Sequence, residues 1–474
     1  MHPKGGPLAI RRSALLVLAV LASKAGLAHA AAASAPGHPD ILADSTVVER
    51  WTLSNGLRVT TRHIPDAGAV AATVGYPFGS DQDPPGRLGL AQLLGLLAFT
   101  SAAGTFPERS ADDIESQRPL GWSYPVTRRQ TLFTEIATIG QFPGMLSQIA
   151  ARMRGVTVTP QELKEAIGEV RREIADQAFG PPAASLDYLV REVALGHDEP
   201  TIGERASGRD VESITLREVE DRLKERFVPA NATLSLAGNL RTVDIHRLVE
   251  NLFGGIPAGV AAPATPLPHL DPGVRIIPRP GLTASVASVG ILAPALDDTL
   301  HPSFLLASLM IGSQVDAAWS TPSSPESRFH FAFLDEPDLA RISVPVPSRE
   351  TDVDTIAVQL DEVLGDLART PIAAPLYFQL QTSDLWLIGG PMRREVRDAS
   401  LTEAGVLHTL ARGMASCALL RDEAFWAAYR QRLARTPMQS LGRWLPYFSH
   451  ADHQVRVLLV PAASPAARPA RRGR

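Results

Sequence analysis

Twelve histidines, one cysteine and 50 acidic side chains are on hand for metal, nucleophilic or acid–base chemistry, and their spacing scatters them. His450 and His453 fall three apart, but Ala451-Asp452 between them precedes the last strand, and no nearby Cys or Glu completes a ligand set. His197, Asp198 and Glu199 stand before Pro200 and read as a solvated turn. Asp297, Asp298 and His301 read as loop and N-cap groups ahead of an apolar helix. Cys417 has no partner for an internal disulfide and, within the apolar run Met414 to Leu420, reads as a buried and inert thiol. The chain has no Gly-x-Ser-x-Gly elbow, no phosphate loop and no Gly-x-Gly-x-x-Gly opening a helix.

The elements that would position a site occur twice. In the first half Val47 to Thr61 alternates around Asn55-Gly56, the pattern of a β-hairpin. A strand over Ala69 to Tyr76 follows, then the loop Gly79 to Arg87 and an almost wholly apolar helix, Leu88 to Phe99, which must be buried. The second half repeats the order with Val274 to Pro278, a Pro-Gly turn, a strand over Ala284 to Ile291, an acidic loop and the apolar helix Pro302 to Ile311. Val74-Gly75 and Val289-Gly290 hold matching places 215 residues apart. Each half closes with a strand, Ala232 to Ala237 and Gln454 to Val460. The reading is an α/β (α+β) chain of two tandem homologous domains, each a β-sheet covered by helices. They span 45–257 and 274–462, with a Pro- and Ala-rich linker at 258–273 and a disordered basic tail at 463–474.

Composition sets the outer bounds. With 474 residues and 45% hydrophobic content, the chain is no disordered, collagenous or disulfide-framed protein. Its net charge is −4, and residues 1–30 carry four basic groups and no acid, so the remainder is more acidic still and nucleic acid is excluded as the expected partner. Arg11-Arg12, the apolar run Ala14 to Ala22 and Ala28-His29-Ala30 together read as a secretory signal peptide over 1–30. The run is too short to span a bilayer, and nothing downstream is long and apolar enough, so no transmembrane segment is expected in the mature chain. The expected location is the periplasm of a Gram-negative host.

Leu53 to Val59, Gly86 to Ala91, Gly104-Thr105, Arg226 to Leu234, Ala237 to Leu240 and Leu252-Phe253-Gly254, taken together, resemble the insulinase/pitrilysin peptidase family, which includes the mitochondrial processing peptidase. The resemblance covers most of 45–257 and continues more weakly to about 462. It implies tandem domains forming a half clam-shell around an unfolded peptide. Active members carry His-x-x-Glu-His on the first apolar helix, with two imidazoles binding zinc, the Glu as general base and a distal Glu as third ligand. Here the five positions are Gln92, Leu93, Leu94, Gly95 and Leu96, so the His ligands and the base are replaced at Gln92, Gly95 and Leu96. The distal position falls on Glu173, a vestigial ligand with a structural role expected. Gly95 leaves bare backbone where a substrate chain, a partner's loop or plain helix packing would fit. Family members also touch substrate through an Arg and a Tyr after the second apolar helix. Ser313 to Phe331 holds Arg328 and no Tyr, which makes Arg328 the substrate-binding candidate.

The resemblance therefore implies a metallopeptidase homologue without its own catalytic residues or cofactor. The expectation is a non-catalytic, chamber-forming subunit of an exported zinc metalloprotease. Its partners would be an active zinc-bearing homologous subunit and unfolded or extended peptide. The alternative is a stand-alone peptide-binding or scaffold protein of the periplasm. A peptidase with an unconventional site and an unrelated α/β protein are the remaining readings.

Overall fold

The computed structural model describes residues 47–319, 328–330, 339–345 and 402–462, apart from 242, 264–265 and 284, together with positions 365, 377 and 381. The expected signal peptide and basic tail lie outside the described residues. In the first half the strands are β1 (Val47–Thr52), β2 (Arg58–His63), β3 (Ala69–Tyr76), β4 (Trp122–Ser123), β5 (Thr131–Thr138) and β6 (Thr233–Gly238), ordered β1-β2-β6-β3-β5-β4. Only β2 and β6 run parallel. One face of this sheet is buried by α1 (Leu90–Thr100), α3 (Phe142–Arg154), α4 (Pro160–Phe179), α8 (Leu216–Arg226) and α9 (Ile245–Phe253). Four shorter or more distant helices complete the half: α2 (Ala111–Gln117), α5 (Pro182–Ala194), α6 (Glu199–Ala206) and α7 (Arg209–Glu212).

The second sheet comprises β7 (Gly273–Arg279), β8 (Val286–Leu292), β9 (Arg328–His330), β10 (Leu339–Pro345) and β11 (Gln454–Pro461), ordered β7-β11-β8-β10-β9. It repeats the first sheet from β2 onward, including the parallel pairing, here β7 with β11. β1 alone has no counterpart among the described strands. One face is covered by α10 (His301–Trp319), α12 (Glu423–Arg435) and α13 (Trp444–Ser449), around Phe304, Trp426 and Trp444. α10 runs past the expected end at Ile311 and continues to Trp319.

Each half lends the other a helix. α11 (Glu403–Leu420) lies on β3, β5 and β6 of the first sheet, with Leu407, Leu410 and Ala411 against Ala69, Ala71, Ile136 and Ala237. Reciprocally, α5 lies on β8 and β11 of the second, with Leu186, Val190 and Val193 against Val286, Val455 and Val457. The matched glycines mark these two crossings. A Cβ at Gly75 would stand 2.9 Å from Leu419 Cδ1 on α11, and one at Gly290 would stand 2.7 Å from Val190 Cγ1 on α5. Glycine at both places lets a helix of the opposite half approach the strand backbone.

The hairpin motif also closes the first half. Asn55, 7% exposed, donates its Nδ2 to the carbonyls of Phe253 (2.8 Å) and Ile256 (3.0 Å), tying the turn to the end of α9. The segment after α9 carries no helix or strand among its described residues before Gly273, yet it is pinned to the first half. Ala262 N–H donates to Asn231 Oδ1 at 2.6 Å, and Arg129 Nη1 donates to the Pro266 carbonyl at 3.1 Å.

Candidate functional site

α1 is held at its N-terminus by carboxylates, since it has no side-chain cap of its own. Asp83 accepts from the N–H groups of Gly89 and Ala91, both at 2.8 Å, and Asp210 accepts from Leu88 N–H at 3.2 Å. Burial pushes the Asp83 carboxyl up to about 7, against the two backbone donors that favour its charge. Gly89 sits at φ 92°, and its Cβ would meet Ile174 Cδ1 at 2.9 Å, so the helix begins only at Leu90 and not at Leu88. Its residues from Leu93 to Phe99 are all buried.

The three motif positions lie on this enclosed helix. Gln92 is half-buried, and its Oε1 is buried with no hydrogen-bond partner among the described residues. Leu96 is 7% exposed. At Gly95 a Cβ would overlap Val126 Cγ2 and stand 3.6 Å from Thr131 Cγ2. Of the occupants expected at Gly95, the chain's own packing is the one found: Val126, on the segment between β4 and β5, lies against its bare backbone.

Glu173 lies on α4, which opens as expected with the capping box of Thr159 and Glu162. Its Oε1 accepts from Gln177 Nε2 at 3.4 Å, so no local arginine pair forms: Arg171 pairs with Glu212, and Arg172 donates to the Gly168 carbonyl. Burial and the neighbouring Glu169 hold the Glu173 carboxyl above its ordinary pKa. Tyr124, two residues before Val126, packs tilted against Phe99 with ring centroids 5.2 Å apart, and its hydroxyl is pushed up to about 12 by burial and then by Glu169 and Glu173. One segment thus spans the site, with Tyr124 beside the distal carboxylates and Val126 over Gly95.

The donor chemistry does not fit zinc. Gln92 offers a neutral amide oxygen, Gly95 and Leu96 offer nothing, and one carboxylate is left. Among the described residues no group of three or more His, Cys, Asp or Glu is placed to hold a metal ion. Arg328 lies on β9 with its backbone paired opposite Ser343, while its side chain and the stretch 320–327 lie outside the described residues.

The sequence profile described as the peptidase M16 inactive domain matches residues 213–333. The chain is 24% identical over 320 residues to the mitochondrial-processing peptidase subunit beta of Blastocladiella emersonii, covering 64% of this chain and 65% of that one. Two solved structures share the fold: a protease from Helicobacter pylori (TM-score 0.66, 15% identity, 88% of this chain and 100% of the other) and a peptidase M16 inactive domain from Pseudomonas fluorescens (TM-score 0.62, 14% identity, 88% and 98%). These matches together support an insulinase-like family member. Its matches span between about half and two thirds of the length of the curated relatives, 45% of one and 65% of the other.

The chain also holds groups that carry no motif in the sequence. Glu135 of β5 is wholly buried, with Arg118 Nε at 2.7 Å, Arg109 Nη1 at 3.5 Å and Arg152 on its other oxygen. Burial would raise its pKa, but Arg152, Arg109 and Arg118 together hold it low. Arg109 and Arg152 also stand over the Phe99 ring, which ties the cluster to α1. Ser123 Oγ and His408 Nε2 lie 2.8 Å apart, joining β4 to α11 of the other half. None of these carries a sequence signal, since each partner comes from a distant part of the chain.

The scattered candidates are also placed. His197 is no free solvated turn: its Nδ1 lies 2.8 Å from Glu192 Oε2, which Arg205 also engages. His301 is buried and bonds the Tyr429 hydroxyl at 2.7 Å. His453 stacks on Tyr447 at 3.8 Å. Cys417 is half-buried and lines a cleft, contrary to the buried thiol expected.

Proposed function

We propose that this chain is a non-catalytic, peptide-chamber-forming subunit of an exported zinc metalloprotease, carrying no cofactor of its own, with the zinc on an active homologous partner. The observation that carries the reading is Val126 seated against Gly95, because it leaves no room for a side chain at that motif position while the rest of the helix and its anchoring carboxylates are kept. A helix that keeps its form without its donors suits a wall of the chamber. Strand β4 is one of the two outermost strands of the first sheet and presents Trp122 with Tyr124 just beyond it, their rings stacked at 6.0 Å. An edge of this kind takes an extended peptide through main-chain hydrogen bonds, with no special side chain required.

No helix among the described residues is long and apolar enough to cross a membrane, which agrees with a mature chain that has no spanning helix. Export to the periplasm rests on the N-terminal pattern alone. The test is native mass spectrometry of the tagged chain isolated gently from its own host. A metal-free 1:1 complex with a zinc-bearing homologue is expected. The chain alone, metal-free, would favour the stand-alone binding or scaffold protein, and stoichiometric zinc on this chain would overturn both.

A further inference from the structure

Strand β5 alternates, so Glu135 faces α1 together with Phe133 and Ala137, while Ile136 faces α11. On that α1 face three guanidinium groups share the one carboxylate. Arg109, Arg118 and Arg152 all pair with Glu135, and no other acidic side chain pairs with them among the described residues. The cluster is sunk in the fold, with the three arginine side chains 5%, 7% and 11% exposed and that of Glu135 wholly buried. Three positive charges against one negative leave an excess where water screens little. The crowding shows at Arg109, whose guanidinium is brought down to about 10 by burial first and then by Arg152. Arg109 and Arg118 also donate to neutral acceptors, the Phe99 carbonyl at 2.8 Å for one, the Gln117 carbonyl at 3.0 Å and Gln148 Oε1 for the other.

Arg152 on α3 has donors to spare. Its Nη2 donates to Glu135, and neither Nε nor Nη1 has a hydrogen-bond partner among the described residues. The side chain lines a small pocket of about 20 Å³, which has room for one water-sized particle. Tyr76 of β3 lines the same pocket, and the remaining side chains around it are apolar, Val74, Ile149 and Phe227 among them. Tyr76 is 2% exposed, and its hydroxyl has no hydrogen-bond partner among the described residues. Burial pushes that hydroxyl up, so it stays a protonated donor. Two side chains thus bring donors to the pocket, and neither a carboxylate nor an amide lines it. Donors buried without an acceptor are costly.

We infer that this pocket is a halide site, taking a single chloride between the Tyr76 hydroxyl and the Arg152 guanidinium. A water molecule would satisfy the donors and leave the excess of positive charge, whereas an anion answers both. The room restricts that anion to a single atom. Chloride is polarisable and weakly hydrated beside a carboxylate or a phosphate, so the apolar wall costs it less. Bound there it ties β3 to α3 beneath Ala98, in the last turns of α1, and so stiffens the helix that carries the replaced motif.

The test is thermal unfolding of the full mature chain at one ionic strength, with sodium chloride exchanged stepwise for sodium gluconate, whose anion is too large for the pocket. The melting temperature should rise with chloride by about 1–2 °C for each tenfold increase above the Kd of the site. Tyr76→Phe keeps the ring and removes one donor. It should melt within about 1 °C of the wild-type chain in gluconate, because the hydroxyl has no protein partner to lose, and should lose about half or more of the chloride response. General effects of the two salts act on both chains alike, so an equal response in wild type and Tyr76→Phe would overturn the inference, as would no response in either. The site is read directly in crystals of the wild-type chain soaked in sodium bromide, which keeps the test open if Tyr76→Phe is unstable. An anomalous peak at the bromine absorption edge is expected between Tyr76 Oη and the Arg152 guanidinium. Ordered density there without an anomalous signal would be a water and would overturn the inference.

Discussion

At the scale of single residues, the outcome at the motif turns on Val126 as much as on the groups replaced. Installing Gln92→His, Gly95→Glu and Leu96→His supplies two imidazoles and a base around Glu173, but the carboxylate side chain introduced at position 95 would start inside the space that Val126 Cγ2 fills. Overpacking of this kind costs about 1–3 kcal/mol. The triple variant is therefore expected to lose about that much stability in urea unfolding and to bind no zinc by equilibrium dialysis with metal analysis. Adding Val126→Ala should recover stability and admit the metal; stoichiometric zinc on the triple variant alone would show that Val126 is no obstacle. The sequence marks Gln92, Gly95, Leu96 and Glu173 as motif positions through the resemblance alone. It does not mark Val126, because nothing in a local pattern says which residue 31 positions later folds over a glycine. His408 gives a second residue-scale expectation. Burial, aided by Arg412, holds its pKa down to about 4, whereas an unfolded histidine binds its proton near 6.5. Between these values the unfolded chain binds more protons, so the contribution is complete above pH 6.5 and is lost as the pH falls towards 4. His301, held down to about 3 by burial, acts in the same direction. The urea midpoint should fall from pH 7 to pH 4.5, and His408→Gln should flatten part of that slope; an unaltered slope would mean that His408 binds its proton equally well in the folded and unfolded chain.

At the scale of elements, the halves are joined by two crossings, and a glycine in a strand sits under each. Gly75→Val and Gly290→Val would drive new methyl groups into Leu419 and Val190, so each is expected to cost about 1–3 kcal/mol in thermal unfolding. Gly168→Ala, inside α4 with nothing within 4 Å of its added Cβ, should instead stabilise by about 1 kcal/mol. If Gly75→Val and Gly290→Val left the melting temperature unchanged, the close approach of α11 and α5 would be wrong. The elements themselves were readable where one stretch of chain determines them: the hairpin around Asn55-Gly56, the capping box that opens α4, the all-apolar α1 and the repeat of strands. The pairing of Gly75 with Gly290 was readable as a repeat but not as a crossing. Its cause lies in helices about 100 residues away or more, Leu419 for one and Val190 for the other. Asn55 was likewise legible as a turn residue, while its two bonds to the end of α9 depend on the closed half.

At the scale of the whole molecule, the exchange of helices decides how the chain folds. Without α11, the reverse face of the first sheet would present Ala69, Ala71, Ile136 and Ala237 to water, and α5 would carry Leu186, Val190 and Val193 with no second sheet beneath them. Each half on its own would thus expose a contiguous apolar face, the condition that drives association or aggregation. The polar ties point the same way, since Arg58 reaches the Ala418 carbonyl and Ser123 meets His408 across the same junction. Two units that read as tandem domains in the sequence are therefore expected to behave as one cooperative body, although their length would allow separate transitions. Expressed alone, residues 47–257 should be insoluble or should lack a cooperative thermal transition by near-ultraviolet circular dichroism. Co-expressed with residues 258–462, they should elute as a 1:1 pair that melts in one step, and Gly75→Val in the first fragment should weaken that pairing about tenfold or more, the equivalent of about 1.4 kcal/mol. A lone first fragment that stays monomeric and melts cooperatively would show that the reverse face needs no cover from α11.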